Sequence, residues 1–243
     1  MADPLSPHAR QTSRHRLAWI GLAGALAAPL LVFLACVALR LGAVSLETAL
    51  DLVTLKVAWV LSWLGAASAV FAVWASRGAG KGGWIPATLA VVAAVATLSL
   101  FIVHFQKAGA ATSRPDVMTN LEDPPGFRDS IMAARRSAGA PPLDRWSANP
   151  GTCTGAVAAM TQVAPGVAGY GLQEAGFRIS SLGVGRADGV RTGFWFGRTY
   201  DAVLRIRPGR TDVRVTARDH RPADEGEACR LATKILENIQ VRE

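Results

Sequence analysis

Arginine and aspartate alternate with apolar residues in the segment Phe194–His220, the part of the chain best suited to chemistry. A guanidinium group presents a planar set of donors that matches phosphate and carboxylate groups. An aspartate there could act as a general acid or base, while an arginine stabilises an anion. The candidate ligand-binding residues are Arg198, Tyr200, Asp201, Arg205, Arg207, Asp212, Arg214 and Arg218.

The same segment predicts the strands that position these side chains. Tyr200–Arg207 and Thr211–Arg218 each alternate apolar and polar residues, and Pro208-Gly209 between them favours a reversal of the chain. Such alternation is typical of an antiparallel sheet with one buried face and one exposed face. Val190–Phe196 and Phe177–Leu182 also have strand character.

Helices are predicted on both sides of these strands in the sequence. Glu225–Val241 has an amphipathic pattern, and its apolar stripe predicts that it covers the apolar face of the sheet. A shorter helix is predicted around Arg128–Ser137. Alanine-rich Thr154–Glu174 favours one or two helices interrupted near Pro165-Gly166. We therefore expect an α+β domain with an antiparallel sheet covered by helices.

Three long charge-free runs precede this domain: Leu17–Leu39, Val57–Ser76 and Trp84–Phe105. Each is about long enough to cross the roughly 30 Å of a bilayer core as a helix. The sequence thus predicts an α-helical membrane region with three transmembrane helices, followed by the α+β domain. The expected boundaries are a cytoplasmic tail at 1–16, the membrane region at 17–106, a linker at 107–115 and the domain at 116–243.

Charge gives an orientation to these spans. The chain carries 26 Lys and Arg against 18 Asp and Glu. Among the segments that flank the three runs, the connection Arg40–Lys56 is balanced, whereas the N-terminal tail and the Arg77–Lys81 loop are basic. The positive-inside rule then places both on the cytoplasmic side and the α+β domain in the periplasm of a bacterial inner membrane. The sequence contains no zinc-finger spacing and no aromatic RNA-binding motif, so we expect membrane lipids as partners and no nucleic acid.

Three cysteines cannot form a disulfide framework. Cys36 lies within an apolar run, whereas Cys153 and Cys229 lie in the polar half of the chain. In an oxidising compartment these two could form one bridge, and two unpaired buried thiols are the alternative. The four histidines are scattered, so we expect no metal site and no cofactor.

Two stretches of the polar half resemble the bacterial domain of unknown function 1499. They are the opening motif VMTNLEDPPGF and the segment FWFGRTYDAVLRIRPGRTDVRVTARD with its following helix, and the resemblance spans roughly 115–240. Matching positions are Thr119, Pro124 and Pro125 in the first, and Asp201, Val203, Arg205, Ile206, Asp212, Arg214 and Arg218 in the second. Val215, Ala217 and the stretch 219–226 depart from the family pattern. The resemblance implies a fold and a membrane setting, and no activity.

Two hypotheses of function remain. The first is an envelope protein without catalytic residues, whose sheet arginines bind an anionic lipid headgroup, a glycan or a protein partner. The second is a membrane-anchored envelope hydrolase that uses Asp201 or Asp212. A third reading is purely structural, because opposite charges that alternate on an exposed sheet face satisfy each other.

Overall fold

The structure, a computed structural model, describes residues 7–77, 83–110, 115–143, 153–219, 221 and 224–240. The chain forms two compact units, Met1–Phe105 and Gln106–Glu243. The first unit contains the long apolar helices, and the second contains the sheet with the candidate ligand-binding residues.

The first unit consists of α1 (Pro7–Arg40), a π-helical segment (Thr48–Ala58) that continues into α2 (Trp59–Ser76), and most of α3 (Trp84–Ala110). Among the residues that the structure describes, three segments are long and apolar enough to cross a membrane: Arg14–Arg40, Thr48–Ser76 and Trp84–Gln106. Small residues let α1 and α2 approach closely, since a Cβ atom on Gly21 would lie 2.6 Å from the Cβ atom of Ala72. The prediction of three such helices is confirmed.

The second unit contains a five-stranded antiparallel sheet of order β1-β5-β4-β3-β2. The strands are β1 (Asp116–Met118), β2 (Arg178–Gly183), β3 (Arg186–Thr192), β4 (Thr199–Arg207) and β5 (Arg210–Ala217). Leu204 of β4 and Val213 of β5 lie opposite each other and are fully buried on the apolar face, as the alternation predicts.

Three helices accompany the sheet: α4 (Asp129–Ser137), α5 (Pro165–Glu174) and α6 (Glu227–Gln240). Leu172 of α5 and the apolar stripe of α6, including Leu231 and Ile235, form one core with the apolar face of the strands. The predicted α+β class, an antiparallel sheet covered by helices, is therefore confirmed. Burial of this face supplies most of the favourable free energy of folding.

The structure corrects the predicted helical content of Thr154–Glu174, because only its second half is helical. Ala159 instead exchanges two backbone hydrogen bonds with Thr211, at 3.1 and 2.8 Å. The stretch before α5 is therefore an irregular segment that one β-bridge holds beside β5. The helix α3 also continues to Ala110, into the predicted linker 107–115, of which 111–114 lie outside the described residues.

A disulfide joins Cys153 to Cys229, with a Cα–Cα distance of 5.4 Å. The disulfide fastens the start of this irregular segment to α6 and closes a sequence separation of 76 residues. A loop of that size limits the conformations of the unfolded chain, which stabilises the fold by about 4.5 kcal/mol in the chain-entropy account. Cys36 is a buried free thiol in α1.

Candidate functional site

Four buried aspartates lie on the face of the sheet that is turned away from the apolar core. They are Asp116 in β1, Asp188 in β3, Asp201 in β4 and Asp212 in β5. The register places Asp201 and Asp116 on either side of Thr216, and it places Asp212 opposite Arg205. A carboxylate removed from water costs several kcal/mol unless a cation and hydrogen bonds compensate it. Each of these aspartates does contact arginine.

The prediction that this face of the sheet is exposed is therefore wrong. The segment 119–137, which includes α4, covers it. Arg135 of α4 reaches Asp201, Arg128 reaches Asp188, and the backbone carbonyl of Pro125 accepts a hydrogen bond from Arg214. Charged side chains can be buried on this face because arginines and aspartates neutralise one another beneath the covering segment.

Asp201 is held by two arginines from different elements. Arg218 donates to both carboxylate oxygens, at 2.6 to 3.1 Å, and Arg135 donates at 3.0 Å to Asp201 Oδ2. The same Nη1 atom of Arg135 also donates to the carbonyl of Ala217 at 3.0 Å. Arg135 is nearly inaccessible, so this contact joins α4 to the middle of the sheet.

Two more of the buried aspartates, Asp116 and Asp188, each accept a two-pronged contact from arginine. Arg214 forms a two-pronged contact with Asp116, at 3.0 and 2.6 Å, and its guanidinium lies 5.6 Å from the ring centroid of Phe127. Arg186 donates to both oxygens of Asp188. These contacts leave no exposed carboxylate oxygen for a substrate at Asp201 or Asp188.

The fourth aspartate, Asp212, is surrounded by three arginines that we call the arginine cluster: Arg205, Arg207 and Arg210. Arg207 Nη2 lies 2.6 Å from Asp212 Oδ2, Arg210 Nε lies 2.7 Å from Oδ1, and Arg205 Nη2 lies 3.3 Å from Oδ2. Arg207 and Arg210 remain 39% and 37% exposed, in contrast to the enclosed Arg135 and Arg214.

A second carboxylate approaches the arginine cluster from the solvent side. Asp123, whose side chain is 61% exposed, bridges Arg205 and Arg207 through its Oδ2 atom at 3.0 and 3.1 Å. Three guanidinium groups therefore face two carboxylates, which leaves one net positive charge. Asp123 shows that the outer side of the cluster accepts a carboxylate.

The pKa values of both carboxyl groups agree with this charge balance. Burial alone would raise the pKa of Asp212, but hydrogen bonds from Arg210, Arg207 and Arg205 hold that pKa below its usual value. The hydrogen bond from Arg205 is the main cause of a lowered pKa at Asp123. Both groups are therefore carboxylates at neutral pH, and neither is suited to donate a proton.

Two of the candidate residues lie elsewhere. Tyr200 points into the apolar core, and burial raises the pKa of its phenol. Arg198 donates to both oxygens of Asp219 at 2.7 and 3.1 Å and packs over the Tyr200 ring, with 5.6 Å to the centroid. Neither residue joins the arginine cluster, and the structure places both near the start of β4.

The sequence contains a short repeat that predicts part of this arginine–aspartate network. The pattern Gly-Arg-x-Asp occurs twice, at 185–188 and at 209–212. Both begin at a turn, and in both the arginine Nε donates to the aspartate two residues later. The repeat identifies Asp188 and Arg210, which the sequence analysis missed. Arg135 was not among the predicted residues, because nothing in the sequence distinguishes it from its neighbour Arg136.

Within the described residues, no group of His, Cys, Asp and Glu side chains could hold a metal ion. Fold and site together define a protein with three potential membrane helices and an α+β domain with a buried arginine–aspartate network. Comparison of the chain with family models, curated proteins and solved structures gives no match.

Proposed function

We propose that this chain is a noncatalytic protein of the bacterial inner membrane whose periplasmic domain binds an anionic group through the arginine cluster. The ligand group is a phosphate or a carboxylate, carried by an envelope glycan or an acidic protein partner. The observation that carries this proposal is the partial exposure of Arg207 and Arg210 around a single buried carboxylate. Guanidinium groups in such an arrangement still have donors for an external anion.

Asp123 supports the proposal because it already occupies the outer side of the cluster as a ligand would. Its carboxylate is exposed, so an incoming phosphate or carboxylate can displace it without opening the core. Asp212 cannot be displaced in this way, since it is fully buried between strands. We expect a ligand to exchange with Asp123 and to leave Asp212 in place.

The position of the cluster in the sheet favours a glycan or a protein partner over a lipid headgroup. The cluster lies at the end where β4 stops and β5 starts. The chain enters the domain at the other end, where Ala217 donates a backbone hydrogen bond to Pro115. The eight residues of β5 separate these ends by roughly 25 Å.

The periplasmic location is supported by the basic N-terminal tail and by the disulfide between Cys153 and Cys229. Disulfides persist in oxidising compartments. A reporter that is active only in the periplasm, fused after Glu243, should be active, and an inactive fusion would contradict this orientation. Membership of the domain of unknown function 1499 family remains a prediction.

The binding test uses full-length protein in mild detergent, with inorganic phosphate and a uronic-acid oligosaccharide as probes. We expect Arg207→Gln with Arg210→Gln to weaken binding roughly tenfold or more, since each charge-assisted hydrogen bond contributes about 1.5–3 kcal/mol. Asp123→Asn should tighten binding, because it removes the competing carboxylate. Arg136→Gln is the matched control, since Arg136 is exposed and lies outside the cluster.

An affinity that is unchanged in both the double variant and Asp123→Asn would contradict the proposal. The two probes separate phosphate from carboxylate ligands. Mass spectrometry of material that co-purifies with the wild type, and is absent from the double variant, then separates glycan, protein and lipid sources. The hydrolase alternative has no support in the site, because Asp201 and Asp212 are enclosed and saturated by arginine.

A further inference from the structure

The loop between β3 and β4 carries two large aromatic side chains at its tip. Phe194 is 81% exposed and Trp195 is 62% exposed, and their rings make an edge-to-face contact with centroids 5.2 Å apart. Polar residues and glycine normally occupy such loops. The two rings together expose apolar surface of about 300 Å². A patch of this kind on a loop tip is typical of an interaction site.

The base of this loop is fixed, so the aromatic rings remain at its tip. Gly193 donates a backbone hydrogen bond to the carbonyl of Arg198 at 2.8 Å, which closes the loop. Arg198 is in turn anchored by its two-pronged contact with Asp219. Burial lowers the pKa of Arg198, but the Asp219 hydrogen bond and the nearby negative charges of Asp219 and Glu225 together raise that pKa above its usual value, so the anchor stays charged.

The aromatic loop lies at the end of the sheet where the chain enters the domain. Thr199, at the start of β4, accepts a backbone hydrogen bond from Arg218 at 2.9 Å, just beyond the end of β5. Ala217 donates to Pro115 at 2.7 Å, so β1 begins at this same end. Only five residues, 111–115, separate β1 from α3, the last of the helices apolar enough to cross a membrane.

We propose that Phe194 and Trp195 insert into the interfacial layer of the membrane that the chain's own apolar helices enter. Tryptophan and phenylalanine prefer this layer, where the indole N–H meets headgroups and the ring meets acyl chains. The chain arrives from an apolar helix at the end of the domain that carries both rings. Arg178, exposed at the start of β2 near Val190, adds a positive charge at this end for anionic headgroups.

The membrane contact is independent of the arginine cluster, which lies at the opposite end of the sheet. The domain would thus contact lipid with one end while the other end is accessible to a ligand. Loss of the lipid contact leaves anion binding by the arginine cluster intact, and the reverse also holds. The two proposals can therefore fail separately.

The test places an environment-sensitive NBD label beside the aromatic rings of the full-length protein in phosphatidylcholine–phosphatidylglycerol vesicles. Gly193→Cys suits this purpose, because a Cβ atom there comes no closer than 3.5 Å to other atoms. The background carries Cys36→Ala and is kept non-reduced, so the native disulfide persists. Val184→Cys is the matched control, since Val184 is 80% exposed in the β2–β3 turn at the opposite end.

We expect blue-shifted NBD emission at position 193, with about twofold or greater quenching by lipids that carry a spin label near the headgroup. Position 184 should show neither effect. Adding Phe194→Ser with Trp195→Ser should abolish the effect at 193. Water-like emission at 193 would overturn the proposal. A blue shift without lipid quenching would also overturn it, because the rings would then contact a second copy of the chain or another protein.

Discussion

The contact between Arg135 and Asp201 gives the sharpest test of the buried network. Replacing Arg135 by methionine retains much of the apolar volume of the side chain and removes the guanidinium group. The substitution removes two hydrogen bonds of 3.0 Å, one to Asp201 Oδ2 and one to the carbonyl of Ala217. Both acceptors then remain buried under α4 without this donor.

The expected loss of stability follows from these contacts. Breaking a buried ion pair by removing one partner costs about 3–5 kcal/mol, because the remaining charge lacks compensation. Arg218 still donates to both oxygens of Asp201, so the cost should lie near the lower end of that range. We therefore expect Arg135→Met to reduce the free energy of unfolding by about 3 kcal/mol. Asp201→Asn in the same chain should lower the stability further, because Arg218 then loses the carboxylate that it contacts.

Pulse proteolysis in urea, on full-length protein in detergent, measures this difference at the domain. Arg136→Gln is the control, since Arg136 occupies the next position of α4 and is exposed. Its effect should stay within about 0.5 kcal/mol, as is usual for surface substitutions. If Arg135→Met and Arg136→Gln were equally stable, Asp201 would have to be hydrated or satisfied by Arg218 alone, and the buried network would not hold α4.

Two further predictions concern a titrating helix cap and a pair of glycines. Asp224 accepts backbone hydrogen bonds from Gly226 and Ala228 at the start of α6, and burial raises its pKa from 3.8 to about 6. The folded state therefore binds the proton of the Asp224 carboxyl group more tightly than the unfolded state does. The resulting stabilisation is fully present below pH 3.8 and is lost as the pH rises through about 6. The loss of stability is on the order of 3 kcal/mol. Urea unfolding at a series of pH values should show this loss in the wild type and not in Asp224→Asn. Parallel pH profiles of the two proteins would contradict the raised pKa of Asp224. Both Gly209 and Gly166 have open space where a Cβ atom would lie, so their substitutions differ only in backbone conformation. Gly209→Ala should cost about 1 kcal/mol of stability, because Gly209 has φ +71°. Gly166→Ala in α5 should instead stabilise the protein by about 0.5–1 kcal/mol. Equal effects in thermal unfolding would refute the backbone argument.

The sequence predicts the elements of this protein better than their burial. Charge-free runs are sufficient to predict the three apolar helices. Alternation in 200–218 predicts β4 and β5 to within a residue. Alternation, however, shows only that two faces of a strand differ in polarity. It cannot show that a distant segment covers the polar face, which is why Asp201 and Asp212 were expected in solvent.

The remaining errors also have long-range causes. Alanine favours helices, yet the stretch before Pro165 is not helical, because Ala159 pairs with Thr211 and Cys153 is bridged to Cys229. Aromatic residues favour strands, yet β3 ends at Thr192 and the run from Phe194 forms the loop. Arg135 lies 66 positions from the aspartate that it contacts, so no local pattern identifies it.

The buried ion pairs also determine how the strands align. Apolar alternation forbids a one-residue slip of β4 against β5, but a two-residue slip would leave every apolar residue in the core. In the native alignment Arg205 lies opposite Asp212. A two-residue slip in either direction would place Arg205 opposite Arg210 or Arg214, so that two buried or half-buried cations would face each other. The charged face thus selects one strand alignment among those that the hydrophobic core alone would accept.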